Sequence, residues 1–146
     1  MSVFQDSEEL IKYLGALYDE AKCDPEIAPK IKQSGLSIQY RYDDPAGIVS
    51  ILADRQPTQE GAFFDVVWGE VAGLKPDVVM SMKADIAHQF WHGTINLMAA
   101  LTRRQIVAKG PIPKIIKLLP AVTPMYEMYP RLLKEMGRPE LVVSKK

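Results

Sequence analysis

"GTINLMAALTRRQIVAKG", residues 93–110, is the stretch on which the reading of the fold turns. Gly93 reads as a helix stop, residues 96–102 as a short helix, and "QIVAK", residues 105–109, as a strand. Immediately upstream, "HQFWH" places His88 and His92 four residues apart, on one face of a helix. A zinc-protease pair carries glutamate directly after its first histidine, because a carboxylate must take the proton from metal-bound water. Gln89 stands there and cannot act as a base. A structural zinc would need two more ligands, and the chain holds 2 histidines and 1 cysteine in all. We therefore expect no metal, with His92 at a helix end where the dipole favours it.

Working outward, the N-terminal side begins with Asp6 and Glu9 ahead of Leu10, Leu14, Leu17, Tyr18 and Ala21 at helical spacing, which predicts a helix over 7–22. Asp24-Pro25-Glu26 predicts a second helix with proline at its first position, limited by Pro29 and stopped by Gly35. From Leu36 the period becomes two, with Leu36, Ile38, Tyr40 and Tyr42 alternating against polar neighbours. That predicts a strand, and "DDPAG" supplies its turn into a partner over 48–54. Two further strands are predicted over 62–68 and 77–83, then a helix over 84–92. Short connections predict an antiparallel sheet. The last third carries Pro111, Pro113, Pro120, Pro124, Pro130 and Pro139, predicted to chop it into short helical pieces. Thr123-Pro124 reads as a helix start, Gly137 as its stop and Pro130 as a kink.

Composition bounds what such a chain does. Its 146 residues suit one domain, residues 1–146, and 47% hydrophobic with 25% charged residues is an ordinary globular mix. Lys plus Arg and Asp plus Glu both number 18, so nothing points to nucleic acid as partner. Cys23 is the only cysteine and is expected to serve as a small apolar side chain, in a reducing compartment. The start, "MSVFQDSEEL", lacks the basic flank and apolar core of a signal peptide, and no apolar run nears the roughly 20 residues that span a bilayer. A soluble, cytoplasmic protein is expected. No G-x-S-x-G elbow, P-loop or G-x-G-x-x-G pattern occurs, so neither catalysis nor a cofactor is expected. What stands out is adaptable apolar bulk, including Trp68, Met80, Met82, Phe90, Trp91, Met98, Met125 and Met128.

The run over 93–110 resembles the most recognisable segment of the sterol carrier protein type 2 family. There a glycine follows one helix, an asparagine opens the next, and a strand ends at lysine-glycine. "DPEIAPKIKQSGLSIQYRYDD" (24–44) and "PDVVMSMKADIAHQFWHG" (76–93) are similar to the family's second helix with first strand and to its fourth strand with the following helix. On that match Asn96 caps its helix, Met98 and Leu101 are pocket-side residues, and Ile106 and Ala108 face inward on the last strand. The chain departs from the family at Leu97, where proline is common, at Arg103-Arg104, where a small glycine turn is usual, and at Pro111, where an acidic residue follows the glycine. It ends "VSKK" where animal members often carry a peroxisomal signal.

The resemblance implies an α+β fold, a mostly antiparallel five-stranded sheet covered by helices and enclosing an apolar lipid tunnel. It implies a non-catalytic lipid-binding or transfer protein that sequesters a fatty acid, fatty acyl-CoA, phospholipid or sterol. Expected tunnel residues are Trp68, Met80, Met82, Phe90, Trp91, Ile95, Met98, Leu101, Ile106, Ile116, Leu119 and Met125. Arg103, Arg104 and Lys109 are expected to hold an anionic head group, and transient contact with a membrane surface is implied. Two other readings stand beside this one: an accessory interaction module with a collapsed, ligand-free core, and an enzyme built on the histidine pair. Finally, Met125, Met128, Tyr129, Leu132 and Leu133 recur on one face after Thr123, and with Pro130 among them this helix is expected to be a weakly held cover over the tunnel.

Overall fold

Asp6 adopts extended backbone and its carboxylate accepts the Glu9 amide at 2.9 Å, which caps the first helix, α1, Ser7–Ala21. Leu10, Leu14, Leu17, Tyr18 and Ala21 all lie on its buried face, as their spacing predicts. The computed structural model describes residues 2–143, so the "VSKK" end falls almost wholly outside the described residues. Helix α2, Ala28–Ser34, starts later than Asp24-Pro25 predicts. Pro29 lacks an N–H and is tolerated only in a first turn, which delays the start. Asp24 instead accepts the Glu26 and Ile27 amides, and Gly35, at φ 65°, ends the helix. Cys23, expected to be packed as an apolar group, is exposed just past the end of α1.

Five strands follow the predicted order, with ends shifted by up to three residues: β1 Ser37–Asp43, β2 Gly47–Leu52, β3 Asp65–Trp68, β4 Val78–Lys83 and β5 Ile106–Lys109. They form one sheet in the order β3-β2-β1-β4-β5. Three pairings are antiparallel and one, β1 with β4, is parallel, with Tyr40 opposite Met80 and Tyr42 opposite Met82. The parallel pair arises because the chain leaves β3 at one edge and returns across the sheet to the far side of β1. Glu70, in that return, pairs with Arg41 at 3.0 Å on the sheet face away from Tyr40 and Tyr42. Asp77 then anchors the new strand against the old. Its carboxylate accepts the Ser37 amide at 2.9 Å and the Ser37 hydroxyl at 3.3 Å, and the Asp77 N–H donates to Ser37 Oγ at 2.9 Å.

Helix α3, Ala84–Phe90, leads through Gly93 to α4, Leu97–Thr102, where Asn96 accepts the Ala99 amide at 3.0 Å as the cap. Arg104 then takes a left-handed φ of 61° in the turn into β5, a conformation that favours glycine. Helix α5 spans Ile112–Val122 and helix α6 spans Met125–Glu135, followed by a short 3-10 turn, Pro139–Leu141. Pro120 and Pro130 lie inside α5 and α6, so these prolines do not chop the segment. An interior proline costs about 3 kcal/mol, whereas each buried large side chain contributes about 1.5–3. In α6, which packs on α1, Met125, Met128, Tyr129 and Leu133 are all buried, and their sum wins.

Both ends of the described chain are tied to α3. The Val3 amide and Ser2 hydroxyl donate to Asp85 at 2.8 and 3.0 Å. At the other end, His88 Nε2 lies 2.7 Å from the Leu141 carbonyl, and the Val143 N–H donates to His92 Nε2 at 3.2 Å. These contacts assign the tautomers. His88 must donate from Nε2 and accept the Tyr129 hydroxyl at Nδ1, 2.8 Å away, while His92 must donate from Nδ1 to the His88 carbonyl at 2.7 Å. Both rings are buried, with every nitrogen turned to a protein partner. His92 thus caps the end of α3 by hydrogen bonding. Among the described residues no group of three or more His, Cys, Asp and Glu could hold a metal ion.

Two expectations follow. A Cβ at Gly110, which has φ 120°, would meet the Asp77 carbonyl oxygen at 2.3 Å. Gly110→Ala should therefore lower the unfolding free energy by about 2–3 kcal/mol, read by urea denaturation. Burial first, and neighbouring His92 second, hold His88 down to about 4 from its ordinary 6.5. The unfolded chain takes up that proton as pH falls through 6.5, and the folded chain refuses it until about 4, so stability is lost across that window. The drop in unfolding free energy from pH 7 to 4.5 should be smaller in His88→Gln by about 2 kcal/mol.

Candidate functional site

Strand alternation puts Ile38, Tyr40 and Tyr42 of β1, Met80 and Met82 of β4 and Ile106 of β5 on the sheet face that meets the helices. Between this floor and α5 lies a cavity of about 60 Å³. Tyr18 and Ala21 of α1, Ile31, Phe64, Phe90, Trp91 and Leu97 form its walls, and Ile115, Leu118, Leu119, Val122 and Met125 its roof. No lining side chain carries a charge.

Of the expected tunnel residues, Met80, Met82, Phe90, Trp91, Ile106, Leu119 and Met125 meet at this cavity. Trp68, Ile95, Met98, Leu101 and Ile116 do not. Helix phase accounts for two of them. Leu97 and Ala100 turn inward on α4, which leaves Met98 at 52% exposure, and Ile115 turns inward on α5, which leaves Ile116 at 36%. Trp68 lies under α1, where its indole would stand 3.4 Å from a Cβ on Gly15. Leu101 borders a shallow depression with Arg104, Val107 and Ile112. The roof residues Ile115, Leu118, Leu119 and Val122 were legible as an i, i+3, i+4, i+7 series, and so were Tyr40 and Tyr42 on the alternating strand.

The cover also differs from expectation. Helix α6 is a core helix, with Tyr129 and Leu133 fully buried. Helix α5 buries only Ile115 and Ala121, is capped by no side chain and packs chiefly on α2. Its apolar face is completed by the cavity, so α5 is the element that covers it.

Three tyrosines stack along one wall. The rings of Tyr18 and Tyr40 are nearly parallel with centroids 6.0 Å apart, and those of Tyr40 and Tyr42 repeat that arrangement at 6.0 Å. The Tyr18 and Tyr42 hydroxyls are hydrogen-bonded to each other, and the Trp91 indole donates to Tyr18 at 3.2 Å. Burial pushes Tyr18 and Tyr42 well above the usual phenol range and Tyr40 up to about 12.

Arg103, Arg104 and Lys109 are exposed, at the turn into β5 and at that strand's end, with no ion pair among the described residues. None of them lines the cavity.

No protein-family model and no curated protein matches the chain. Solved structures do. The sterol carrier protein domain 2 of Helicoverpa armigera aligns over 87% of this chain and 96% of its own, at 18% identity and a TM-score of 0.61. Apo sterol carrier protein 2 from Yarrowia lipolytica aligns over 82% and 87%, at 14% identity and a TM-score of 0.54. The ubiquinone synthesis protein UbiJ-SCP2 aligns over 88% and 96%, at 11% identity and a TM-score of 0.53. The chain thus has the sterol carrier protein 2 fold.

If α5 is the weakly held cover, its amides should exchange with deuterium at least about tenfold faster than those of α1 and α6. Equal protection across the three helices would show that α5 is ordinary packing.

Proposed function

We propose that the protein binds a flexible apolar ligand of lipid class in the cavity beneath α5 and releases it without a covalent step. The observation that carries this reading is a lining without a charged side chain, roofed by a helix that buries little else. Small-molecule pockets typically enclose about 300–1,000 Å³, several times the present 60 Å³. Entry therefore requires α5 to lift. Once it does, Ile115, Leu118, Leu119 and Val122 exchange contact with the sheet for contact with the ligand, so the apolar area buried changes little. The sterol carrier proteins that share this fold support a lipid as ligand, and fatty acids, acyl-CoA, phospholipids and sterols are the classes to test. Among the described residues no helix is long and apolar enough to cross a membrane. On this reading the ligand is collected at a membrane surface. Arg103, Arg104 and Lys109 are suited to anionic groups that remain in water there.

A second reading, an accessory module with a closed core, is favoured by the small cavity and by the fold shared with a ubiquinone synthesis protein. Denaturing extraction and mass spectrometry separate the two. The carrier reading expects about one lipid per chain, or uptake of one by stripped protein from vesicles. It also expects Leu118→Asp/Leu119→Asp to lower affinity for a fluorescent long-chain lipid at least about tenfold, since charge on the roof would have to be desolvated. Circular dichroism should be unchanged, because both side chains are only half-buried. A chain that carries no lipid and takes none up is the accessory module.

A further inference from the structure

The cavity wall holds more hydrogen-bond donors than the protein uses. Tyr18, Tyr42 and Trp91 together carry three N–H and O–H hydrogens. The indole hydrogen goes to Tyr18 Oη, and one hydroxyl hydrogen lies between the two phenols. Whichever phenol donates, the other's hydrogen has no protein acceptor among the described residues. If Tyr18 donates, Tyr42 has the spare hydrogen; if Tyr42 donates, Tyr18 has it. The Tyr40 hydroxyl, on a ring that lines the same cavity, makes no hydrogen bond among the described residues, and its hydrogen is spare as well.

A spare donor beside apolar surface is costly, at about 1–3 kcal/mol when no partner reaches it, and an oxygen in the cavity relieves that cost. Which oxygen is decided by charge. No Lys, Arg or His lines the cavity, so a carboxylate or phosphate drawn in would be stripped of water with no counter-charge. The phenols cannot supply one. Burial holds them protonated, with Tyr40 up to about 12, so each remains a neutral donor across the physiological range.

Resting on the lipid-binding reading, we infer that the ligand's end which enters this cavity is an uncharged oxygen function, an alcohol, ester or ketone, accepted by the spare hydrogens of Tyr40 and of the Tyr18–Tyr42 pair. The tyrosines then set specificity, and the rest of the wall is indifferent to where along the chain it makes contact. An ionised acid binds less well. Its carboxylate either enters without a counter-ion or stays outside and leaves the phenols unpartnered.

The test is a series of matched sixteen-carbon ligands presented to the full chain from cyclodextrin: hexadecane, 1-hexadecanol, methyl palmitate, and palmitate at pH 8. Hexadecanol and methyl palmitate should bind at least about tenfold more tightly than hexadecane and than palmitate. Tyr40→Phe removes one spare donor and should weaken hexadecanol about threefold to tenfold while leaving hexadecane unchanged. Hexadecane equal to hexadecanol, or palmitate the tightest of the four, overturns the inference and leaves lipid binding standing. Failure of all four to bind overturns the inference, and overturns lipid binding as well where the protein carries no extractable lipid and takes none up from vesicles. The unmodified chain decides the ligand class even if the variant does not fold.

Discussion

Asp77 is the point at which this structure commits to its topology. Parallel strands cannot be joined by a tight turn, so β4 reaches β1 only after a long return, and something must fix where along β1 it starts. The Asp77 carboxylate does so by holding the backbone and hydroxyl of Ser37 while its own N–H returns a bond to the same hydroxyl. A slip of one residue would turn Met80 and Met82 out of the helix-facing surface and bring Val79 and Ser81 in. The Asp77 carbonyl also sits where only a glycine can follow β5, so one residue sets the register of β4 against β1 and the close approach of the chain at the end of β5. The cavity floor follows from that register.

Most elements were legible because local pattern makes them. The apolar spacing of α1, the alternation of β1, the Asn96 cap and the left-handed Gly35 and Gly137 are each set within a few residues. The parallel β1–β4 pair was not, since it depends on contacts about 40 residues apart that no local period encodes. Prolines misled in a specific way. Pro120 and Pro130 were given the weight they have in an isolated helix, whereas buried Tyr129 and Leu133 outweigh them in α6. The cover was then placed on the helix with more apolar contacts than it could easily give up. For the site, residue type served for the strand methionines and failed on the helices, where Met98 and Ile116 lie one position, about 100°, away from the inward face. The unused phenol hydrogens were beyond reach of any sequence pattern, because counting them requires knowing which hydroxyls meet.

Under the proposed function the site balances two demands that pull in opposite directions. A close-packed roof would stabilise the sheet, and a loose one would admit a ligand. The chain divides the work between neighbouring helices. Helix α6 packs on α1 and keeps its large side chains buried, whereas α5, further along the chain from the C-terminal ties, spans the cavity with a half-buried apolar face. Opening α5 therefore leaves the α1–α6 contact, and with it most of the core, in place.

The attachment of both described ends to α3 has a topological side. Val3 is held at Asp85 and Val143 at His92, two points on one segment about seven residues, or roughly 10 Å, apart along its axis. In terms of connectivity α3 and the turn after it act as a clasp that closes residues 3–143 into a loop. Peeling either end of that loop away from the sheet first breaks a hydrogen bond to the clasp.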